Sequence, residues 1–137
     1  MLKMSYDFNK KVERQRPLRG EYVVTINAHK GITDEKGSRY LVQLAFADRT
    51  RDYYIFPSEN DYEVDEEKGQ LKPSQINYLI GVFSRILDDY ESGLIDMIDK
   101  VYKEKIQFMV NITWNDAYNR DNFSFYPVRE TEEAPDL

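Results

Sequence analysis

The sequence predicts a mainly β fold with a helical insertion, in the element order β-β-β-α-β-β. Three observations carry this. Apolar residues alternate with polar ones across 20–28, 39–46 and 106–114, the period of a half-buried strand. Between 74 and 91 the apolar period changes to that of a helix. Turn chemistry separates the runs: Asp34-Glu35-Lys36-Gly37, Asp48-Arg49 and the stretch Asn115 to Asp121.

Taken in order, residues 1–19 are a basic N-terminal arm, with Lys10, Lys11, Arg14, Arg16 and Arg19 against Glu13. A first strand opens at Gly20, with Tyr22, Val24, Ile26 and Ala28 on one face and Glu21, Thr25 and Asn27 on the other. Residues 30–38 read as a hairpin loop. In the second strand Tyr40, Val42, Leu44 and Phe46 oppose Arg39, Leu41, Gln43 and Ala45. The third strand, 50–56, stops at Pro57. Its parity stays open, because Arg51 and Tyr53 on one face and Tyr54 and Phe56 on the other both suit a core. The acidic stretch 57–70 is too polar to pack and reads as a mobile loop. The helix over 74–91 places Ile76, Leu79, Ile80, Phe83, Ile86, Leu87 and Tyr90 on one side, with Ser74 or Lys72 at its cap and Pro73 suited to its first turn. Ser92-Gly93 ends it. A shorter helix over 94–102 buries Leu94, Ile95, Ile98 and Val101. The fourth strand runs from Ile106 to Trp114, and the fifth covers 122–128. Residues 20–128 thus form one domain, and 129–137 an acidic C-terminal tail. One helix between the third and fourth of five antiparallel strands is the order of an OB-fold barrel, the partly open Greek-key architecture. A small α+β sandwich shares the count and remains open.

The chain has 137 residues, enough for one domain with a sizeable core. It contains no cysteine, so disulfides and thiolate metal sites are excluded and a reducing compartment is expected. The N-terminus has no apolar h-region, and no run is long enough to span a bilayer. The expectation is a cytoplasmic protein with no membrane partner. Net charge is −6, unevenly spread. Segment 57–70 has six acids and one lysine, giving −5, and residues 130–137 have four acids, giving −4. The rest of the chain is therefore +3.

Aromatic residues interleave with arginines in two places: Arg49, Arg51, Tyr53, Tyr54 and Phe56, then Trp114, Tyr118, Arg120, Phe123, Phe125 and Tyr126. Flat rings beside guanidinium groups suit unpaired bases and their phosphates. The candidate nucleic-acid-binding residues are Lys30, Lys36, Arg39, Arg49, Arg51 and Arg120 for phosphates, and Tyr53, Tyr54, Trp114, Tyr118 and Tyr126 for bases. Trp114 has core parity but sits at a strand end, where a ring is half exposed. The alternative is that these rings fill a small β core.

Several stretches resemble small phage-type or mobile-element single-stranded-DNA-binding proteins. They are Tyr-Asp-Phe at 6–8, the run from Arg19 to Phe46 with its Gly-Glu-Tyr start and Gly turn, the apolar helix 74–90, residues 94–110, and Tyr-Asn-Arg-Asp-Asn-Phe at 118–123. The resemblance covers about residues 5–128 and rests on pattern and order. It implies an OB-fold that binds single-stranded DNA without sequence preference, in replication, recombination or transfer. It also implies an acidic tail that contacts replication or recombination proteins and competes with DNA. Here the tail ends in Leu137, where a terminal aromatic is commoner. A solubilising tail is the other reading.

Enzyme chemistry lacks its parts. His29 is the only histidine and reads as a surface residue. Asp61, Glu63 and Asp65 start like a calcium loop, but Glu66 stands where glycine is required and Lys72 where the closing Glu is. The glycines at 31, 37, 69, 81 and 93 are isolated, so no phosphate-cradling loop forms. No enzyme activity, cofactor or metal is expected. The rival reading is a protein-interaction adaptor or inhibitor with an OB-like fold. Oligomeric state, and DNA against RNA, stay open.

Overall fold

The computed structural model describes residues 18–65 and 68–128. Strands β1 (Gly20–Asp34), β2 (Gly37–Ala45) and β3 (Thr50–Ile55) come first. A hairpin of β4 (Tyr62–Asp65) and β5 (Gln70–Pro73) precedes helices α1 (Gln75–Leu87) and α2 (Leu94–Lys103). Strands β6 (Phe108–Asn115) and β7 (Arg120–Pro127) close the chain order. Five strands form one antiparallel sheet in the order β3-β2-β1-β6-β7, and β4-β5 stands as a separate ribbon. A meander of three strands whose fourth returns beside the first is a Greek key. The core lies between this sheet and the two helices, around Leu44, Leu79, Met97, Ile98, Phe108, Val110 and Ile112.

β1 is shared end to end. Gly20 to Val24 pair with β6, and Thr25 to Asp34 pair with β2. A bulge between Ile26 and Ala28 interrupts the β2-paired half just after the changeover. The extra residue flips the parity, so Ala28 is exposed and His29 points to the core side, against the expected alternation. His29 is accordingly not a surface residue. Its ring lies between the Tyr40 hydroxyl, 2.6 Å from Nδ1, and Asp99, 3.0 Å from Nε2.

Two expected loops are strand. Within 30–38 only Glu35 and Lys36 form the turn, with Gly37 at φ 107°. Asp34 holds this turn by accepting from the Lys36 amide at 2.9 Å and from both terminal nitrogens of Arg39. The acidic stretch 57–70, expected as an unpacked loop, contains β4 and the first residue of β5, and β4 pairs Val64 to Leu71 and Glu63 to Lys72 just beyond it.

Ser74 caps α1, its Oγ accepting from the Asn77 amide. The helix stops at Leu87 rather than 91, because Asp88 turns left-handed at φ 54° and its amide bonds back to Ser84. Tyr90 thus lies outside the helix and is exposed. In α2, Met97, Ile98 and Val101 are fully buried, whereas Ile95, expected inside, is exposed.

The sheet is not closed into a barrel: its edges, β3 and β7, share no ladder. Side chains of α1 bridge them instead. Gln75 donates from Nε2 to the Tyr54 carbonyl at 2.8 Å and accepts from the Phe56 amide at 2.9 Å. The Tyr78 hydroxyl accepts from the Phe125 amide at 2.8 Å. Rings fill the gap behind them, with Tyr53 5.2 Å from Phe123 and 5.0 Å from Phe125. Replacing Tyr78 by Phe removes the partner of the Phe125 amide and should cost about 1–2 kcal/mol in urea denaturation. The exposed hydroxyl of Tyr22, bonded to Arg19 O, supplies the control, and Tyr22→Phe should change stability little. Equal stability of the two variants would mean the edge amide needs no bridge.

Candidate nucleic-acid interface

The register settles the parity of β3. Tyr53 pairs with Val42 and Ile55 with Tyr40, so Arg51, Tyr53 and Ile55 face inward, and Asp52 and Tyr54 outward. Tyr53 is packed against Phe123 and Phe125, and its hydroxyl accepts from Gln75 Nε2 at 2.9 Å. This leaves no ring face for a base. Arg51 lies under the sheet end, 3.0 Å from Asp121 Oδ2 and 5.1 Å from the Phe123 ring centre. Arg19 reaches Asp121 Oδ1 at 3.1 Å, an ion pair without hydrogen-bond alignment. Asp121 is nearly buried, so one carboxylate holds two guanidiniums across the gap between β3 and β7.

The remaining candidates divide among three places. Tyr54 and Lys30 lie on the outer side of the sheet, with Arg39 5.7 Å from the Tyr54 ring centre, and Lys36 is at the β1–β2 tip. Trp114, Tyr118 and Arg120 surround the β6–β7 turn. Trp114 is 45% exposed with Arg19 at 5.2 Å, and its indole donates to Asp116. Tyr118 is also exposed, with Arg120 at 5.3 Å. Tyr126 stands apart on the outer face of β7, its hydroxyl donating to Glu21. Arg49 lies in the β2–β3 turn and pairs with Asp48 at 3.1 Å.

Between β3 and β7 runs an open groove of about 930 Å³, bordered by Tyr54, Phe56, Lys72, Arg120, Asn122 and Ser124. A second hollow of about 450 Å³, beside the β4-β5 ribbon and Tyr118, shares Lys72, Arg120 and Asn122 with it. The sequence did not point to Phe56, Lys72, Asn122 or Ser124 as site residues. Phe56 stood in the aromatic–arginine run, whereas Lys72, Asn122 and Ser124 carried no signal of their own.

The electrostatics are local. Arg39 holds the Asp34 carboxyl below the usual carboxylate range, and Arg49 does the same to Asp48. Lys103, then His29, lowers Asp99. Among the described residues, Lys30, Lys36 and Arg120 form no ion pair. The described residues hold 13 Lys and Arg against 17 Asp and Glu, a balance of −4. Residues 1–17, outside the described part, contribute +3 from five bases and two acids. The arm therefore supplies the whole basic excess seen in the sequence.

Among the described residues no cluster of three His, Asp or Glu side chains could hold a metal ion, and no helix is long and apolar enough to cross a membrane. No family model matches the chain, and neither a curated protein nor a solved structure matches it significantly.

Burial raises the Tyr53 hydroxyl above its ordinary value of 10. A group raised in the folded state stabilises the fold fully below its unfolded pKa and loses that contribution as pH climbs through the folded value. Stability should therefore fall above pH 10, by up to about 1.4 kcal/mol per pH unit for one proton. Tyr53→Phe should flatten this alkaline limb in urea melts taken across the range. An unchanged slope would place the titration elsewhere, with Tyr40, also raised by burial, the next group to vary.

Proposed function

We propose that the protein binds single-stranded DNA with little sequence preference, serving phage or mobile-element replication, recombination or transfer. The observation that carries this is a set of three exposed rings, each beside an arginine: Tyr54 with Arg39, Trp114 with Arg19, and Tyr118 with Arg120. Tyr54 borders the groove between β3 and β7, Tyr118 borders the adjoining hollow, and Trp114 stands at the end of β6. A ring offers a stacking face to any base, and the guanidinium beside it meets the phosphate. The groove between β3 and β7 has Arg120 and Lys72 at its border. The Greek-key order, with helices between the third and fourth strands of the sheet, supports an OB-type architecture. Tyr53 and Arg51 leave the contact set and support the site from below. The basic arm and acidic tail modulate affinity by their charge, over about a Debye length of roughly 8–10 Å.

Titration with oligo(dT), followed by Trp114 fluorescence, tests the proposal. Quenching should saturate, and affinity should fall steeply with salt as counterions are released. Arg120→Ala should reduce the slope of log affinity against log salt by about 0.7, one phosphate contact on a single strand. Tyr118→Ala should lose about 1–3 kcal/mol of binding. No retention on single-stranded DNA at low salt would leave the adaptor reading.

The termini give a separate check. Deleting residues 130–137 should tighten binding by removing −4 of competing charge, and deleting 1–17 should weaken it and flatten the salt slope. Affinities unmoved by either truncation would mean that the described residues carry the whole site.

A further inference from the structure

The β4-β5 ribbon is built inside out. Its register pairs Tyr62 with Pro73 and Val64 with Leu71, so these four apolar residues share one face. All are exposed, Leu71 by 71% and Val64 by 61%. Glu63 and Lys72 line the groove beside β7, and Val64 and Pro73 reach its borders, while Tyr62 and Leu71 lie clear of it. A two-stranded ribbon is marginal by itself, and an exposed apolar patch marks a contact surface.

The same chain carries an apolar hollow elsewhere. It measures about 430 Å³ and lies between the β1–β2 hairpin and the starts of α1 and α2, lined chiefly by Ile32, Tyr40, Phe56, Ile76, Leu94 and Ile95. No residue of β4 or β5 lines it, so a copy does not fill its own hollow. Its size accommodates Val64 and Leu71 together.

We infer that the β4-β5 ribbon of one copy docks in this hollow on a second copy. Charge favours the pairing. The only charged residue lining the hollow is Arg39, itself paired with Asp34, and the hairpin beside it carries Lys30, Lys36 and Arg39 against Asp34 and Glu35, a balance of +1. Residues 59–73, the ribbon and its approach, hold six acids against Lys68 and Lys72, a balance of −4, with Lys72 paired to Glu63 at 3.7 Å. The two surfaces differ, so the contact is heterologous and repeats from copy to copy. An interface of one ribbon is small, so assembly builds up with concentration. The contact needs no nucleic acid and stands whether or not the proposed binding does.

Sedimentation velocity of the full chain without nucleic acid, from micromolar to millimolar, tests it. The mean mass should rise past that of a dimer with no closed plateau. Leu71→Asp removes the ribbon's anchor, and Ile95→Asp spoils the hollow at an exposed position in the first turn of α2, where an acid suits the helix. Each variant alone should remain at the monomer mass of 16.3 kDa. An equimolar mixture should form a dimer, because one variant keeps an intact hollow and the other an intact ribbon. That rescue also shows both variants folded. If Leu71→Asp misfolds by circular dichroism, Val64→Asp takes its place. A monomeric wild type at all concentrations overturns the inference. So does a mixture that stays monomeric, or an Ile95→Asp protein that assembles like wild type, which would point to ribbon-on-ribbon pairing.

Discussion

The structure depends on how two unpaired sheet edges are satisfied. β3 and β7 end the five-stranded sheet on opposite sides, yet both run past the same helix. An edge strand presents amides and carbonyls that must find partners. Gln75 and Tyr78 lie three residues apart, hence near one face of α1. Gln75 serves the Tyr54 carbonyl on β3 and the Phe56 amide just past its end, and Tyr78 serves β7. The amide and the phenol stand in for a missing strand. The Arg51–Asp121 pair adds a second tie at the far end of the gap, with Arg19 on the other oxygen. The helix is thus both the lid of the core and the brace of the sheet.

This arrangement shapes the candidate interface. Because the edges are braced from inside, the outward side between them stays open as a groove. The rings that brace it, Tyr53, Phe123 and Phe125, turn inward, and those at its rim, Tyr54 and Tyr118, turn outward. One aromatic-rich sequence thereby supplies a core and a surface from neighbouring residues. The described fold is itself mildly acidic, so attraction for an anion must come from particular side chains and from the terminal arm.

How far the sequence could be read follows from what each residue reports. Tyr40, Val42 and Leu44 alternate against polar neighbours, so the face of β2 was plain. In β1 the alternation up to Ile26 held, but the bulge after it left no trace, because Ala28 suits either face. The ribbon is hard to read for a physical reason: Tyr62, Val64 and Leu71 stay exposed and contribute no core pattern, and acids dominate the composition around them. The parity of β3 could not be settled, because an aromatic residue occupies both faces. Gln75 and Tyr78 drew no notice, since their role depends on where β3 and β7 end in space. Trp114 was legible as a rim residue, core parity at a strand end giving a half-exposed ring. The site residues were named by type, and only three-dimensional placement separates Arg51, tied to Asp121, from Arg120, set against the Tyr118 ring.

The divided pairing of β1 also bears on the order of assembly. Its second half meets β2 across a two-residue turn, and β6 meets β7 across four residues. These ladders close over short loops. Its first half must wait for a partner far along the chain, Val24 for Phe108, 84 residues away. Chain entropy makes such a closure unfavourable until many contacts form together, and sheets with distant pairings fold in milliseconds to seconds. The ribbon and both helices belong to the intervening segment, so the loop closed by this ladder contains them. The local pairings β1-β2, β2-β3, β4-β5 and β6-β7 all close over short connections, so the β1-β6 ladder alone carries the entropic cost of uniting the two ends of the described chain.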